Sequence, residues 1–366
     1  MQIKDIIREI ESFAPLPYQE SYDNCGVQVG NVQQECTGAL LTLDITEAVI
    51  DEALSKNCNL VIAHHPLIFS GIKRLTGKNM VERCIMKAIS HNITLYAAHT
   101  NMDNMQAGVN HKIASKLGLS DCRILRPTTQ NLYKLYTYVP YDHADVVRNA
   151  LFAAGAGQIG NYDECSFNIQ GRGTFRGNAA SNPFIGTAGG DREVADEVKI
   201  EVLVPMHVKS PVLNALQHSH PYEEVAYELV QLANTNQTIG AGMIGTLPAD
   251  THYKDFFRTI QEALHVSCIR HTDVIKEQIR TVAVCGGSGS FLLSDAIAAG
   301  ADIFITADYK YHQFFEAERQ ILIADIGHYE SEQFTVEIFD AIINKKFPNF
   351  AVYLSTTKTN PINYFF

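Results

Sequence analysis

The chain reads as an α/β protein of two similar α/β halves, with a smaller α+β domain inserted between them. Three observations carry that reading. Short apolar runs, Leu60-Val61-Ile62-Ala63 foremost, alternate with amphipathic stretches, the pattern of a parallel sheet buried on both faces. The order strand, helix, strand, helix, strand occurs twice, in residues 1–126 and again in 237–366. Between 127 and 236 the texture changes to alternating runs such as 132–139 and 197–205, the period of antiparallel strands. A length of 366 residues leaves room for two or three domains.

Composition narrows the function classes. A hydrophobic content of 46% with 19% charged residues is that of an ordinary globular chain. A formal net charge of -11 speaks against nucleic acid as a partner, because sequence-independent binding needs a basic surface. The eight cysteines form no C-x-x-C pair, so a reducing cytoplasm is the expected location. The opening MQIKDIIREIESF is an amphipathic helix rather than a signal peptide. No apolar run approaches the ~20 residues of a membrane span.

In the first half, Ile3, Ile6, Ile7, Ile10 and Phe13 share one helical face, and Pro15 and Pro17 end the helix. Residues 21–30 mix turn residues with a short strand; Asn24 and Gly26 could line a site or only shape the loop. Gly38 to Asp44 reads as a strand and 46–56 as a helix capped by Thr46. Leu60–Ala63 then runs directly into His64-His65-Pro66. Pro66 biases His65 to an extended backbone, so the two imidazoles point apart and suit two different ions better than one. A helix over 79–91 and a strand over 93–98 lead into His99-Thr100-Asn101-Met102-Asp103, followed by a short helix at 108–117. On such sheets, active groups gather where strands end.

The insert, 127–236, has a strand-helix-strand-strand-helix-strand order, the ferredoxin-like pattern. Its stretch from 155 to 190 is rich in glycine, lacks a hydrophobic period, and reads as long hairpin loops. His220-Pro221-Tyr222-Glu223-Glu224 reads as a turn or helix start. In the second half, strands at 281–285, 302–306 and 321–326 alternate with helices at 291–299 and 313–318. A long helix opens at His328 and runs to Asn344.

Packing the two halves together would bring His64, His65 and Asp103 opposite His328 and Glu332. His328 and Glu332 are four residues apart and share a helical face. Three imidazoles and two carboxylates suffice for two divalent ions bridged by Glu332. Ligation by N and O without thiolate suits Zn, Fe, Mn, Co or Ni without selecting among them. Each cluster alone could merely end a strand; three clusters at the strand ends of a repeated fold argue for a metal centre. His99, Asp308 and His312 are candidate catalytic groups. The Cys285-Gly286-Gly287-Ser288-Gly289 stretch is neither a dinucleotide fingerprint nor a P-loop. With Lys310 it could meet a phosphate.

The motifs Ala63-His64-His65-Pro66, His99-Thr100-Asn101-Met102-Asp103, GGSG and Gly327-His328 with Glu332 resemble the NIF-three-like dinuclear metal proteins, also named GTP cyclohydrolase 1 type 2 homologues. The resemblance spans roughly 1–126 and 237–366. It implies His65 and Asp103 on one metal, His64 and His328 on the other, and Glu332 on both. It implies a PII/CutA-like insert, on HPYEEVAY, and a ring-shaped homohexamer. The chain departs from many members at Thr306-Ala307-Asp308 and at Tyr22. The function expected is a metal-dependent hydrolase whose water attacks a nucleotide-like or phosphorylated small molecule. The alternatives are a metal-trafficking or metallocentre-assembly protein without turnover, and a ligand-sensing regulatory scaffold.

Overall fold

A computed structural model describes residues 1–365. The chain separates into two compact units, Met1–Pro127 with the chain from Gln237 onward, and Thr128–Asn236.

The first unit holds two sheets. The five-stranded sheet has the order Gly26–Val29, Thr94–Ala97, Leu60–Ala63, Ala39–Thr42, Val352–Leu354. The six-stranded sheet has the order Arg270–His271, Leu322–Asp325, Ile303–Ala307, Gln278–Ser288, Asn236–His252, Ser120–Thr128. In each, three successive strands lie parallel at the centre. Ala39–Thr42, Leu60–Ala63, Thr94–Ala97, Ile303–Ala307 and Leu322–Asp325 are buried at every residue. That is why they read as unbroken apolar runs rather than alternating ones.

One apolar cluster touches both sheets. It joins Leu60 and Ile62 of the first, Ile303 and Leu322 of the second, and Ile3, Ile6 and Ile10 of the opening helix Ile3–Phe13. Each such isoleucine contributes about 1.5–3 kcal/mol on burial, so Ile6→Asp would unseat that helix. The halves also exchange strands. Val352–Leu354, from the end of the chain, pairs in parallel with Ala39–Thr42, and Ser120–Thr128 lies on the edge of the second sheet. Local pattern is blind to this exchange, because an edge strand carries no signal of its partner.

Three expectations are corrected. The helix expected from 328 to 344 is two, His328–Glu332 and Thr335–Lys346. At the break the Thr335 hydroxyl donates to the Glu332 carbonyl at 2.7 Å, and the Gln333 side-chain Nε2 donates to the Leu264 carbonyl at 2.9 Å. The helix expected over 313–318 is a 3-10 helix and begins two residues earlier, Tyr311–Ala317. The glycine-rich stretch of the insert contains a ten-residue strand, Ser166–Phe175.

The second unit is a four-stranded antiparallel sheet in the order Ser166–Phe175, Glu193–Pro205, Leu132–Pro140, Tyr227–Gln231. Helices Ala144–Ala153 and Lys209–Ser219 bury Val147, Leu151, Val212 and Leu216 against the inward Val198, Ile200, Val202 and Val204. Alternation from Val198 to Val204 places every second residue in that core.

Candidate metal centre

The first sheet delivers its polar groups at its strand ends. Leu60–Ala63 ends in His64, which is fully buried. The His64 Nδ1 lies 2.9 Å from the Ala98 carbonyl, so Nδ1 carries the hydrogen and Nε2 is a free lone pair. That Nε2 faces Asp103 Oδ1 at 3.5 Å and Glu332 Oε2 at 3.8 Å. Neither His64 Nε2 nor Asp103 Oδ1 has a hydrogen-bond partner, although both are buried. His65, next in the chain, turns its Nδ1 to Asp44 Oδ1 at 2.7 Å. Asp44 in turn accepts from the Thr359 hydroxyl at 2.6 Å. Thr94–Ala97 leads to His99 and to the single turn Thr100–Asp103 that carries Asp103.

The second sheet supplies the rest. Beyond Ile303–Ala307, Asp308 takes a left-handed backbone, φ 59°, and its carboxylate accepts from His328 Nδ1 at 2.7 Å. Beyond Leu322–Asp325, Gly327 at φ 93° turns the chain into His328–Glu332. His65 Nε2 and His328 Nε2 each lie 3.0 Å from Glu332 Oε2 and 3.2 Å from one another. Gly287, at φ 60°, passes so close that a Cβ would stand 2.4 Å from Glu332 Oε1. The paired glycines of GGSG therefore make room for the shared carboxylate.

Titration follows from these contacts. Burial pushes His64 down to about 4. Burial also opposes charge on His65 and His328, but bonds to Asp44, Asp308 and Glu332 outweigh it and hold them up at about 9 and about 11. Both Nε2 atoms reach Glu332 Oε2, so each can donate a hydrogen to it. Without a cation both imidazoles therefore hold their protons at neutral pH. Burial and the Glu332 charge push Asp103 well above the carboxylate range. Glu332 is held well below it, because its imidazole bonds outweigh burial.

The donor atoms form one group of His64, Asp103 and Glu332 and another of His65, His328 and Glu332. A third group, His64, His65 and His99, overlaps them. The first two differ from the pairing implied by the resemblance, which set His65 with Asp103 and His64 with His328. The reason is orientation: Asp44 turns His65 toward His328, while the Ala98 carbonyl turns His64 toward Asp103. Two buried, unpartnered donor atoms facing each other 3.5 Å apart fit a cation far better than an apoprotein.

Of the catalytic candidates, His99 lies beside the cluster, its ring centroid 5.2 Å from that of His64. Asp308 touches it through His328. His312 is not brought in: it is exposed on the 3-10 helix, its ring 5.1 Å from that of Tyr311. Lys310 does not line the cavity at the cluster either. Asn24 bonds the Ile68 carbonyl and shapes a loop, whereas Gly26 opens the strand Gly26–Val29 and faces Leu16. Sequence reasoning missed Asp44, Asp23 and Thr359. Asp23 accepts from His99 Nδ1 at 3.0 Å and from the Thr100 hydroxyl; these bonds outweigh burial and hold its carboxyl low. Asp44 follows an apolar strand just as His64 does, and that signal could have found it.

The cavity beside the cluster measures about 180 Å³. Tyr22, His99, Asp103, Cys285, Phe291 and Glu332 are among its lining residues. The family description Duf34/NIF3 (NGG1p interacting factor 3) matches residues 1–361. Over 364 residues the chain is 40% identical to a protein of Halalkalibacterium halodurans named GTP cyclohydrolase 1 type 2 homolog, covering 98% of each. It is 37% identical to the Bacillus subtilis protein of the same name, over 99% of this chain and 98% of the other. The crystal structure of a Bacillus cereus protein related to NIF3 superimposes with a TM-score of 0.85 at 34% identity, covering 100% of this chain and 99% of that one.

Proposed function

The chain belongs to the Duf34/NIF3 family, and from that premise we propose that it is a metal-dependent hydrolase of a nucleotide-like or phosphorylated small molecule. The observation that carries the reading is the pair of donor groups meeting at Glu332, with His64 Nε2 and Asp103 Oδ1 buried and unpartnered. His64, Asp103 and Glu332 would hold one divalent ion, and His65, His328 and Glu332 a second, drawn from Zn, Fe, Mn, Co or Ni. Bound there, such cations supply Lewis acidity and ease the deprotonation of water.

The chain's own groups supply the rest. Asp23, ionised, accepts the Nδ1 hydrogen of His99, so His99 Nε2 is the atom that takes or gives a proton at the cavity wall. At about 180 Å³ the cavity encloses a reacting group rather than a whole nucleotide, for which pockets of about 300 Å³ or more are usual. The remainder of a substrate would rest on Tyr22 and Phe291, which are 73% and 55% exposed at the cavity. The relatives' name makes GTP the first substrate to try. Turnover of GTP and a panel of phosphoesters by metal-loaded protein is expected to fall to background in Glu332→Ala and sharply in His99→Gln. Equal rates in wild type and Glu332→Ala would overturn the proposal.

The remaining expectations belong to the same reading: a PII/CutA-like insert, a homohexamer, and a cytoplasmic location. No helix among the described residues is long and apolar enough to cross a membrane, and all eight cysteines are unpaired. Light scattering of the purified chain tests the hexamer.

A further inference from the structure

We propose that the inserted unit carries its own binding site, separate from the metal centre, for a small organic cation: an alkylated ammonium group on an apolar body. The site is built by the His220-Pro221-Tyr222 turn, which the metal chemistry does not use. His220 is buried. Its Nε2 donates to the Tyr138 carbonyl at 2.9 Å, and its Nδ1 accepts the Tyr222 N–H at 3.1 Å. Its ring lies against that of Tyr222, with centroids 4.9 Å apart. Tyr222 is thus fixed in place from both backbone and ring.

The Tyr222 hydroxyl donates to Glu197 Oε1 at 2.8 Å. The Glu197 carboxylate lies across the strand Ser166–Phe175 at Gly173, where a Cβ would stand 2.1 Å from Oε2. Gly173 therefore leaves open the place that the carboxylate occupies. Phe175 and Phe184 complete the walls, their centroids 6.1 and 6.2 Å from that of Tyr222 and their rings tilted by 55° and 48°. Together they line a cavity of about 480 Å³, the size of a small-molecule site.

The chemistry of the lining selects the ligand. Aromatic faces attract a cation through their quadrupole, and a neighbouring carboxylate adds direct attraction. Three carboxylates, Glu197, Glu223 and Glu224, line the cavity against one guanidinium, Arg176. Phosphate and carboxylate ligands would meet an acidic, aromatic wall whose one positive charge is Arg176.

Calorimetric titration of the full chain with choline, and with its uncharged isostere 3,3-dimethylbutan-1-ol, tests the proposal. Choline is expected to bind saturably, and the alcohol about ten-fold more weakly. Phe184→Ala removes a half-exposed ring and Glu197→Gln removes charge while keeping an acceptor for Tyr222. Each should weaken choline about ten-fold. Equal binding of the alcohol, unchanged binding in both variants, or no saturable choline binding at tens of millimolar overturns the proposal. So does ATP binding that Arg176→Ala abolishes, which would make this an anion site.

Discussion

The two donor groups share Glu332 but are held by different means. In the group of His64 and Asp103, the imidazole is oriented by a backbone carbonyl and is fully buried. In the group of His65 and His328, both imidazoles are oriented by carboxylates, Asp44 and Asp308. A carbonyl fixes a tautomer without adding charge. A carboxylate does the same and raises the basicity of the ring. The first group is therefore neutral on its imidazole, its displaceable proton lying on Asp103, whereas the second holds its protons on the imidazoles themselves.

The largest effect should come from the group the two share. Glu332→Gln removes an anionic oxygen from both sets and should abolish binding of both ions, read as metal per chain by elemental analysis. Loss of only one ion would show that the groups are independent. Next are the orienting carboxylates. Asp44→Asn and Asp308→Asn should each weaken the His65–His328 group by about 10- to 100-fold and leave His64 and Asp103 unaffected. Asp44 is the less exposed of the two, 33% against 48%, so Asp44→Asn should cost more. Competition with a chromogenic chelator measures both.

Proton linkage separates the groups further. His65 and His328 are raised, to about 9 and about 11. In the metal-free chain their contribution to stability is complete below the unfolded value of ~6.5 and is lost as pH rises through the folded values. His64 is lowered to about 4, so its contribution is present above ~6.5 and is lost as pH falls toward 4. At neutral pH, a cation entering the His65–His328 group should release about two protons, and one entering the His64 group at most the one held by Asp103. Calorimetry in buffers of different ionisation enthalpy reads this difference; equal release from both groups would erase the distinction. The smallest effect should be that of Thr359→Val, which removes one hydrogen bond to Asp44. It should weaken only the His65–His328 group, by about five-fold.

The apolar runs and the helical face of Ile3, Ile6, Ile7 and Ile10 were legible in the sequence, because a strand buried on both faces and an amphipathic helix each impose a local period. The histidines and acids at the strand ends were legible for the same reason: a polar cluster after an apolar run marks where a buried strand emerges. The spacing of His328 and Glu332 already placed them on one helical face. Which imidazole faces which carboxylate was decided only by the folded chain. Ring orientation depends on Asp44, Ala98 and Asp308, each distant in sequence from the ring it holds. The exchange of edge strands and the room that Gly287 leaves for Glu332 are of the same kind. They are properties of surfaces brought together by packing, and no local period encodes them.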